Sequence, residues 1–134
     1  MKLGYTIAYV ADVAASLRFF QQAFGLQQRF LHESGDYGEL ETGATTLAFA
    51  SLELGEMNFE GGVLAASESQ RPLGMEIGLV TEDVPAAHAR AVAAGAVAAG
   101  AVELKAPQVK PWGQTVSWVR CPAGILVELC TAVG

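Results

Sequence analysis

Few side chains in this sequence can do chemistry, and their placement narrows what that chemistry is. Glu128 interrupts the apolar stretch Ile125-Leu126-Val127-Glu128-Leu129. A carboxylate inside an apolar strand is costly without a partner, so Glu128 either meets donors such as Arg120 or Arg18 or works on a ligand. Cys130 follows two residues later and shares its face if the segment is a strand; it reads as a small buried hydrophobe or a thiol beside a ligand. Tyr37, Glu39 and Glu41 alternate in the same way. There are two histidines. His88 falls in an alanine-rich helical stretch and reads as an ordinary helix residue; His32, at a strand end, reads as a hydrogen-bonding residue or one that faces a ligand. No Ser or Cys stands with a His and an acid in a nucleophile motif, and no glycine-rich phosphate loop follows a strand. What is left is carboxylate acid–base chemistry, or binding of a cation or a flat ring by carboxylates and aromatics.

The elements that must position these residues come in two copies. Residues 5–15, Tyr5-Thr6-Ile7-Ala8-Tyr9-Val10-Ala11-Asp12-Val13-Ala14-Ala15, align with residues 76–86, Glu76-Ile77-Gly78-Leu79-Val80-Thr81-Glu82-Asp83-Val84-Pro85-Ala86, at a constant offset of 71 positions. Each copy is a short apolar strand, an Asp-Val pair and an alanine-rich helix. Asp12 and Asp83 are good N-caps, because a carboxylate accepts the free N–H groups of the first turn. Pro85 suits a first turn, where its missing N–H costs nothing. The helices are expected to stop at Gly25 and Gly95.

Further along, strands are expected over 27–32, 37–41 and 45–52, with turns at 33–36 and 42–44. Residues 53–73, with Gly55, Gly61, Gly62 and Pro72, read as a partly mobile connection. The second half repeats the scheme: a strand at 75–81, a helix to about Ala94, a short strand at 101–104, a loop over 106–113, and a hairpin of 114–120 and 125–131 around Cys121-Pro122-Ala123-Gly124. The sum is a βαβββ unit twice, about 1–52 and 74–132 within a single domain. Four antiparallel strands per half each carry a helix on one face and leave the other free. The fold class is α+β: duplicated βαβββ modules forming a curved mixed sheet around a cleft, with helices on the outer face.

Composition excludes several classes. The 134 residues are 51% hydrophobic, enough for a substantial core. No apolar run approaches the roughly 20 residues of a membrane span. The formal charge of −6 disfavours nucleic acid. The chain does not open on a basic stretch followed by a hydrophobic one, and the two cysteines, Cys121 and Cys130, read as free thiols, so a cytoplasmic protein is expected.

These features resemble the vicinal oxygen chelate superfamily of glyoxalase I, extradiol dioxygenases, fosfomycin-resistance enzymes and bleomycin-resistance proteins. The resemblance covers essentially the whole chain. It is carried by Val10-Ala11-Asp12 leading into Phe19-Phe20-Gln21-Gln22-Ala23-Phe24-Gly25-Leu26, and by Pro111-Trp112-Gly113-Gln114 through Pro122-Ala123-Gly124-Ile125-Leu126-Val127-Glu128-Leu129. Alanine stands at 123 where the family pattern has Asp. The resemblance implies a divalent metal held at Tyr5, a residue near Leu47–Phe49, Glu76 and Glu128. Only Glu128 is the usual ligand type there; Tyr5 and Glu76 stand where His is typical. Imidazole-poor sets of this kind suit transition metals badly.

The resemblance also brings Glu76 and Glu128 to equivalent places facing one cavity, where they would share a proton or hold a cation, and so act as catalytic carboxylates in an enzyme. Tyr5, Tyr9, His32, Phe49, Trp112, Trp118 and Cys130 then border the ligand. The reading favoured at this level is a metal-free small-molecule binding protein of the glyoxalase/bleomycin-resistance type, taking an aromatic or cationic compound in the inter-module cleft. The alternative is a metal-dependent glyoxalase-like lyase or isomerase, or a dioxygenase, using Glu76 and Glu128. A homodimer is expected from the resemblance.

Overall fold

Two aspartates start the two long helices. Asp12 accepts the Ala15 N–H at 2.9 Å and Asp83 accepts the Ala86 N–H at 3.1 Å, so each caps a first turn. The computed structural model describes residues 1–98 and 102–134. Contacts divide the chain into two units, Met1–Ala65 and Ala66–Gly134.

In the first unit, β1 (Tyr5–Val10) leads into α1 (Val13–Phe24), followed by β2 (Gln27–Leu31), β3 (Tyr37–Glu41), β4 (Thr46–Ser51) and α2 (Leu52–Asn58). The sheet order is β1-β4-β3-β2. In the second unit, β5 (Glu76–Val80) leads into α3 (Val84–Ala98), β6 (Val102–Val109), β7 (Thr115–Arg120) and β8 (Leu126–Cys130), and the order is β5-β8-β7-β6. The same strand order in both units bears out the duplicated βαβββ reading. The sheets are mixed, not wholly antiparallel: β1 runs parallel to β4 and β5 parallel to β8. The helix after the first strand of each unit carries the chain back to the end where that strand began, so the next strand runs in the same sense, and two hairpin reversals later the last strand pairs parallel with the first.

One face of each sheet is buried under its helix. Leu17 and Phe20 of α1 are fully buried, and the Phe20 ring meets Phe49 of β4 at 5.1 Å. Removing such a ring costs about 3–5 kcal/mol, through lost transfer energy and the cavity left behind. In the second unit Val84, His88 and Ala91 of α3 are buried at helical spacing, as are alternate residues Ser117, Val119, Val127 and Leu129 of the sheet.

Three expectations change. The first helix stops at Gly25, whose φ of 70° gives a left-handed cap, but α3 continues past Gly95 to Ala98. The Ala-Val-Ala run after Gly95 favours helix enough to absorb a single glycine, at about 1 kcal/mol. Residues 53–73 are not a plain connection. Ser51 Oγ accepts the Leu54 N–H at 3.1 Å and caps α2, and a 3₁₀ turn forms at Ala66–Glu68. Finally, β6 is long and takes in Ala106 and Pro107, which were expected in a loop. Proline is tolerated because β6 is the edge strand, and its pairing with β7 shifts register between Lys105 and Gln108. Ala101, expected to open this strand, lies outside the described residues.

Candidate functional site

The face of each sheet opposite its helix holds most of the predicted site residues. In the second unit, strand alternation and register put Glu76, Gly78 and Val80 of β5 beside Leu126, Glu128 and Cys130 of β8, and Trp118 of β7 opposite Glu128. Glu76 is exposed, and its Oε1 accepts the Trp118 indole N–H at 3.3 Å. Glu128 is half-buried, and its Oε2 lies where a Cβ on Gly78 would meet it at 3.8 Å. The missing side chain at Gly78 leaves the Glu128 carboxylate uncovered on that side.

Cys130 is buried, and burial pushes its thiol above the ordinary value. The Glu128 carboxylate, and then that of Glu76, add to the shift by disfavouring a second negative charge. Cys130 therefore stays protonated near neutral pH and is a poor nucleophile. Cys121 is also free and buried, and burial raises it to about 11. The turn joining β6 to β7 brings in a cation absent from the sequence-level set. The Lys110 ammonium lies 5.5 Å from the centre of the Trp118 ring. The turn is closed by Lys110 N–H to Gln114 O at 2.7 Å and pinned to β8 by Gln114 Nε2 to Thr131 O at 2.8 Å. Trp112 stands exposed at its tip, donating to Gln114 Oε1 at 2.9 Å.

Arg120, one candidate partner for the glutamates, is committed elsewhere. It donates to the carbonyls of Ala66, Ser69, Gln70 and Gly124 and to Ser69 Oγ. It fastens the 3₁₀ turn to the β7–β8 hairpin and does not neutralise Glu76 or Glu128.

In the first unit the open face carries Tyr5, Ile7 and Tyr9 of β1 beside Thr46, Ala48 and Ala50 of β4. Tyr5 is 58% and Ile7 44% exposed. Tyr9 is tied to α2, accepting from Asn58 Nδ2 at 3.1 Å and meeting the Phe59 ring edge-on at 6.0 Å. Phe49 corrects an expectation: it faces the helix side, is fully buried, and packs on Phe20. Of Leu47–Phe49 the residue on the open face is Ala48, which has no donor atom. His32 is also displaced. It lies beyond β2 in the turn, where its Nδ1 meets Ser34 Oγ at 2.8 Å and the Ser34 N–H at 3.1 Å.

A polar network on this face went unread in the sequence. Between Gln28 and Phe30 the β2–β3 register shifts, and this bulge lets Arg29 and Phe30 both reach the open face. Arg29 grips Glu41 in a two-point contact, Nε to Oε2 at 2.9 Å and Nη2 to Oε1 at 2.7 Å, and its Nη1 reaches Glu39 Oε1 at 3.1 Å and Thr46 Oγ1 at 3.2 Å. The Tyr37 hydroxyl donates to Glu39 Oε2 at 2.7 Å. Burial, and then the bond to Glu39, raise the Tyr37 phenol. Alternation of Tyr37, Glu39 and Glu41 was the available signal. What was missing was Arg29, whose facing depends on the bulge.

The family metal is tested by this donor set. Glu76 and Glu128 offer two carboxylates, Cys130 a thiol held protonated, and the β4 position only Ala48. Among the described residues no group of three or more His, Cys, Asp or Glu could hold a metal ion. His88, the one buried imidazole, is taken up under α3 by Ser117 and Glu103. The residues present do not fit a tightly held transition metal.

Two four-stranded mixed sheets, each built from a βαβββ unit with one helix-covered and one open face, define a duplicated-module α+β fold. The glyoxalase/bleomycin resistance protein/dioxygenase superfamily profile matches residues 2–129, and the chain belongs to that superfamily. A glyoxalase-related enzyme from Fulvimarina pelagi is similar at 21% identity and a TM-score of 0.78, covering 98% of this chain and 88% of its own. A glyoxalase/bleomycin resistance protein/dioxygenase family enzyme from Burkholderia phytofirmans PsJN has 21% identity and a TM-score of 0.74, with 98% of both chains covered. TioX from Micromonospora sp. ML1 has 19% identity and a TM-score of 0.70, again over 98% of both. At these identities the likeness is one of fold. No curated protein matches the sequence. No helix among the described residues is long and apolar enough to cross a membrane.

Proposed function

We propose that this protein binds a small aromatic or cationic compound without a metal, as a member of the binding branch of its superfamily. The observation that carries the reading is the Trp118 ring held by the Glu76 carboxylate, with Glu128 on the same face. An aromatic face beside two carboxylates is complementary to a ring bearing positive charge, and each cation–ring contact is worth about 0.5–2 kcal/mol. Tyr5, exposed on the open face of the first unit, offers a second aromatic surface of the same kind. The donor set described above supports a site that works without a metal.

The test is calorimetry of metal-stripped protein with benzyltrimethylammonium and, separately, with Ni, Zn, Mn and Fe(II). Saturable binding of the organic cation, weakened in Glu76→Gln, is expected. Tight metal binding lost in Glu128→Ala would overturn the reading and turn attention to lyase and dioxygenase assays. We also expect a homodimer, in keeping with the superfamily resemblance. The exposed apolar side chains Tyr5, Ile7 and Phe30 on one sheet face support it. Light scattering that returns a monomer mass at working concentration would refute it.

A further inference from the structure

The cation seated over Trp118 belongs to the protein. Lys110 Nζ stands 5.5 Å from the indole centre, and the same indole donates its N–H to Glu76. The ring therefore has its face on one positive charge and its polar edge on one negative charge. The backbone around Lys110 is fixed. Its N–H and carbonyl both close the turn, and the Gln114 side chain ties that turn to β8. The lysine side chain is not fixed in this way. Its four-carbon stem is flexible and its ammonium prefers water, so contact with the ring is easily made and easily left.

We propose that Lys110 is a resident competitor for the cation site of the second unit. Its ammonium occupies the place over Trp118 that the charged nitrogen of a bound quaternary or protonated aromatic amine would take, and ligand entry requires it to swing out. This rests on the cation-binding reading above and adds its regulation. The physical reason is shared chemistry: a ring beside a carboxylate attracts any cation, and the nearest one is held at high effective concentration by the turn. Selectivity follows. A ligand must exceed lysine in contact with the ring to displace it, so permanently charged, poorly hydrated ammonium groups on an aromatic frame are favoured over small inorganic cations, which bind water strongly.

The experiment is tryptophan-fluorescence titration with benzyltrimethylammonium in a Trp112→Phe background, where Trp118 is the sole indole. Lys110→Gln is expected to tighten binding by about two- to fivefold, the range of one exposed cation–ring contact. Lys110→Arg, which keeps a cation, should stay near the parent or bind more weakly. Lys105→Gln removes an exposed charge from the partner strand, opposite Trp118 in register, without emptying the ring face, and should change affinity much less. Proton NMR adds a readout independent of affinity. The Lys110 side-chain methylenes should be shifted upfield by the indole in the free protein and return to ordinary positions on saturation. If the parent binds the probe but Lys110→Gln binds no tighter, or if Lys105→Gln tightens equally, the competitor role is refuted while the cation-binding reading stands. If neither parent nor variant shows saturable quenching, both fail.

Discussion

His88 Nε2 lies 2.6 Å from Glu103 Oε2, and on the other side of the ring Nδ1 lies 2.9 Å from Ser117 Oγ. Serine, imidazole and carboxylate in one row is the arrangement that activates a nucleophile. Here it does not, because Ser117 is fully buried under α3 and no substrate reaches its hydroxyl. The row is a polar fastener that ties α3 to β7 and β6. His88→Ala leaves a buried hydroxyl without its partner and should destabilise the protein by about 1–3 kcal/mol. Urea unfolding checks the loss. A fluorophosphonate probe, which labels activated serines, should leave the native protein unmodified; labelling at Ser117 would contradict the assignment.

The Arg29–Glu41 contact makes stability depend on acid. The Arg29 hydrogen bonds hold the Glu41 carboxyl below its ordinary 4.5 in the folded chain. The unfolded chain therefore takes up that proton first as pH falls. The contribution is present above about pH 4.5 and is lost as pH drops through the lower folded value. Urea midpoints from pH 7 to pH 3 should fall less steeply in Glu41→Gln than in the parent. Parallel curves would show that the contact carries no linkage.

The Cys130 thiol should respond to the carboxylate beside it. Its thiol sits above the ordinary 9.0, through burial first and the Glu128 carboxylate second. Glu128→Gln removes the second cause and leaves the first. At pH 8.5 the thiolate fraction, and with it the rate of reaction with a disulfide reagent, should rise. Measurement in a Cys121→Ser background isolates Cys130. An unchanged or slower rate would show that Glu128 does not face the thiol.

Arg120 and Gly124 form one structural joint. Arg120→Ala strips charge-assisted bonds from the carbonyls at 66, 69 and 70 and should cost about 1.5–3 kcal/mol or more. Gly124 has a φ of +84°, and a Cβ there would collide with the Ala66–Ser67 peptide. Gly124→Ala should therefore be at least as damaging as Arg120→Ala. Thermal melts of the two variants decide this; a silent Gly124→Ala would mean that the 66–68 turn yields freely.

The legible part of this protein was local and periodic. The repeat at residues 5–15 and 76–86, the Asp12 and Asp83 caps and the stop at Gly25 rest on short-range rules of helix ends and strand alternation. Those rules sufficed for the order of the βαβββ elements, and the motifs around them carried the resemblance to the superfamily. Alternation alone paired Glu128 with Cys130; the resemblance implied that Glu76 and Trp118 border the same cavity, and the β5–β8–β7 register puts all four on one sheet face.

Tertiary structure decided everything that depends on pairing across the chain. A bulge at Arg29, invisible in residue types, turns that side chain onto Glu39 and Glu41. Register, not composition, sends Phe49 into the core and leaves Ala48 on the open face. Arg120, one of the candidate partners for the glutamates, is bound by the fold to backbone carbonyls instead. Lys110 meets Trp118 only through the pairing of β6 with β7 and the turn between them. Amino-acid sequence determines which chemical groups this protein owns and how each segment curls, since those are near-neighbour effects. Which groups meet is set by sheet register, bulges and turn geometry, where a shift of one residue reverses every facing.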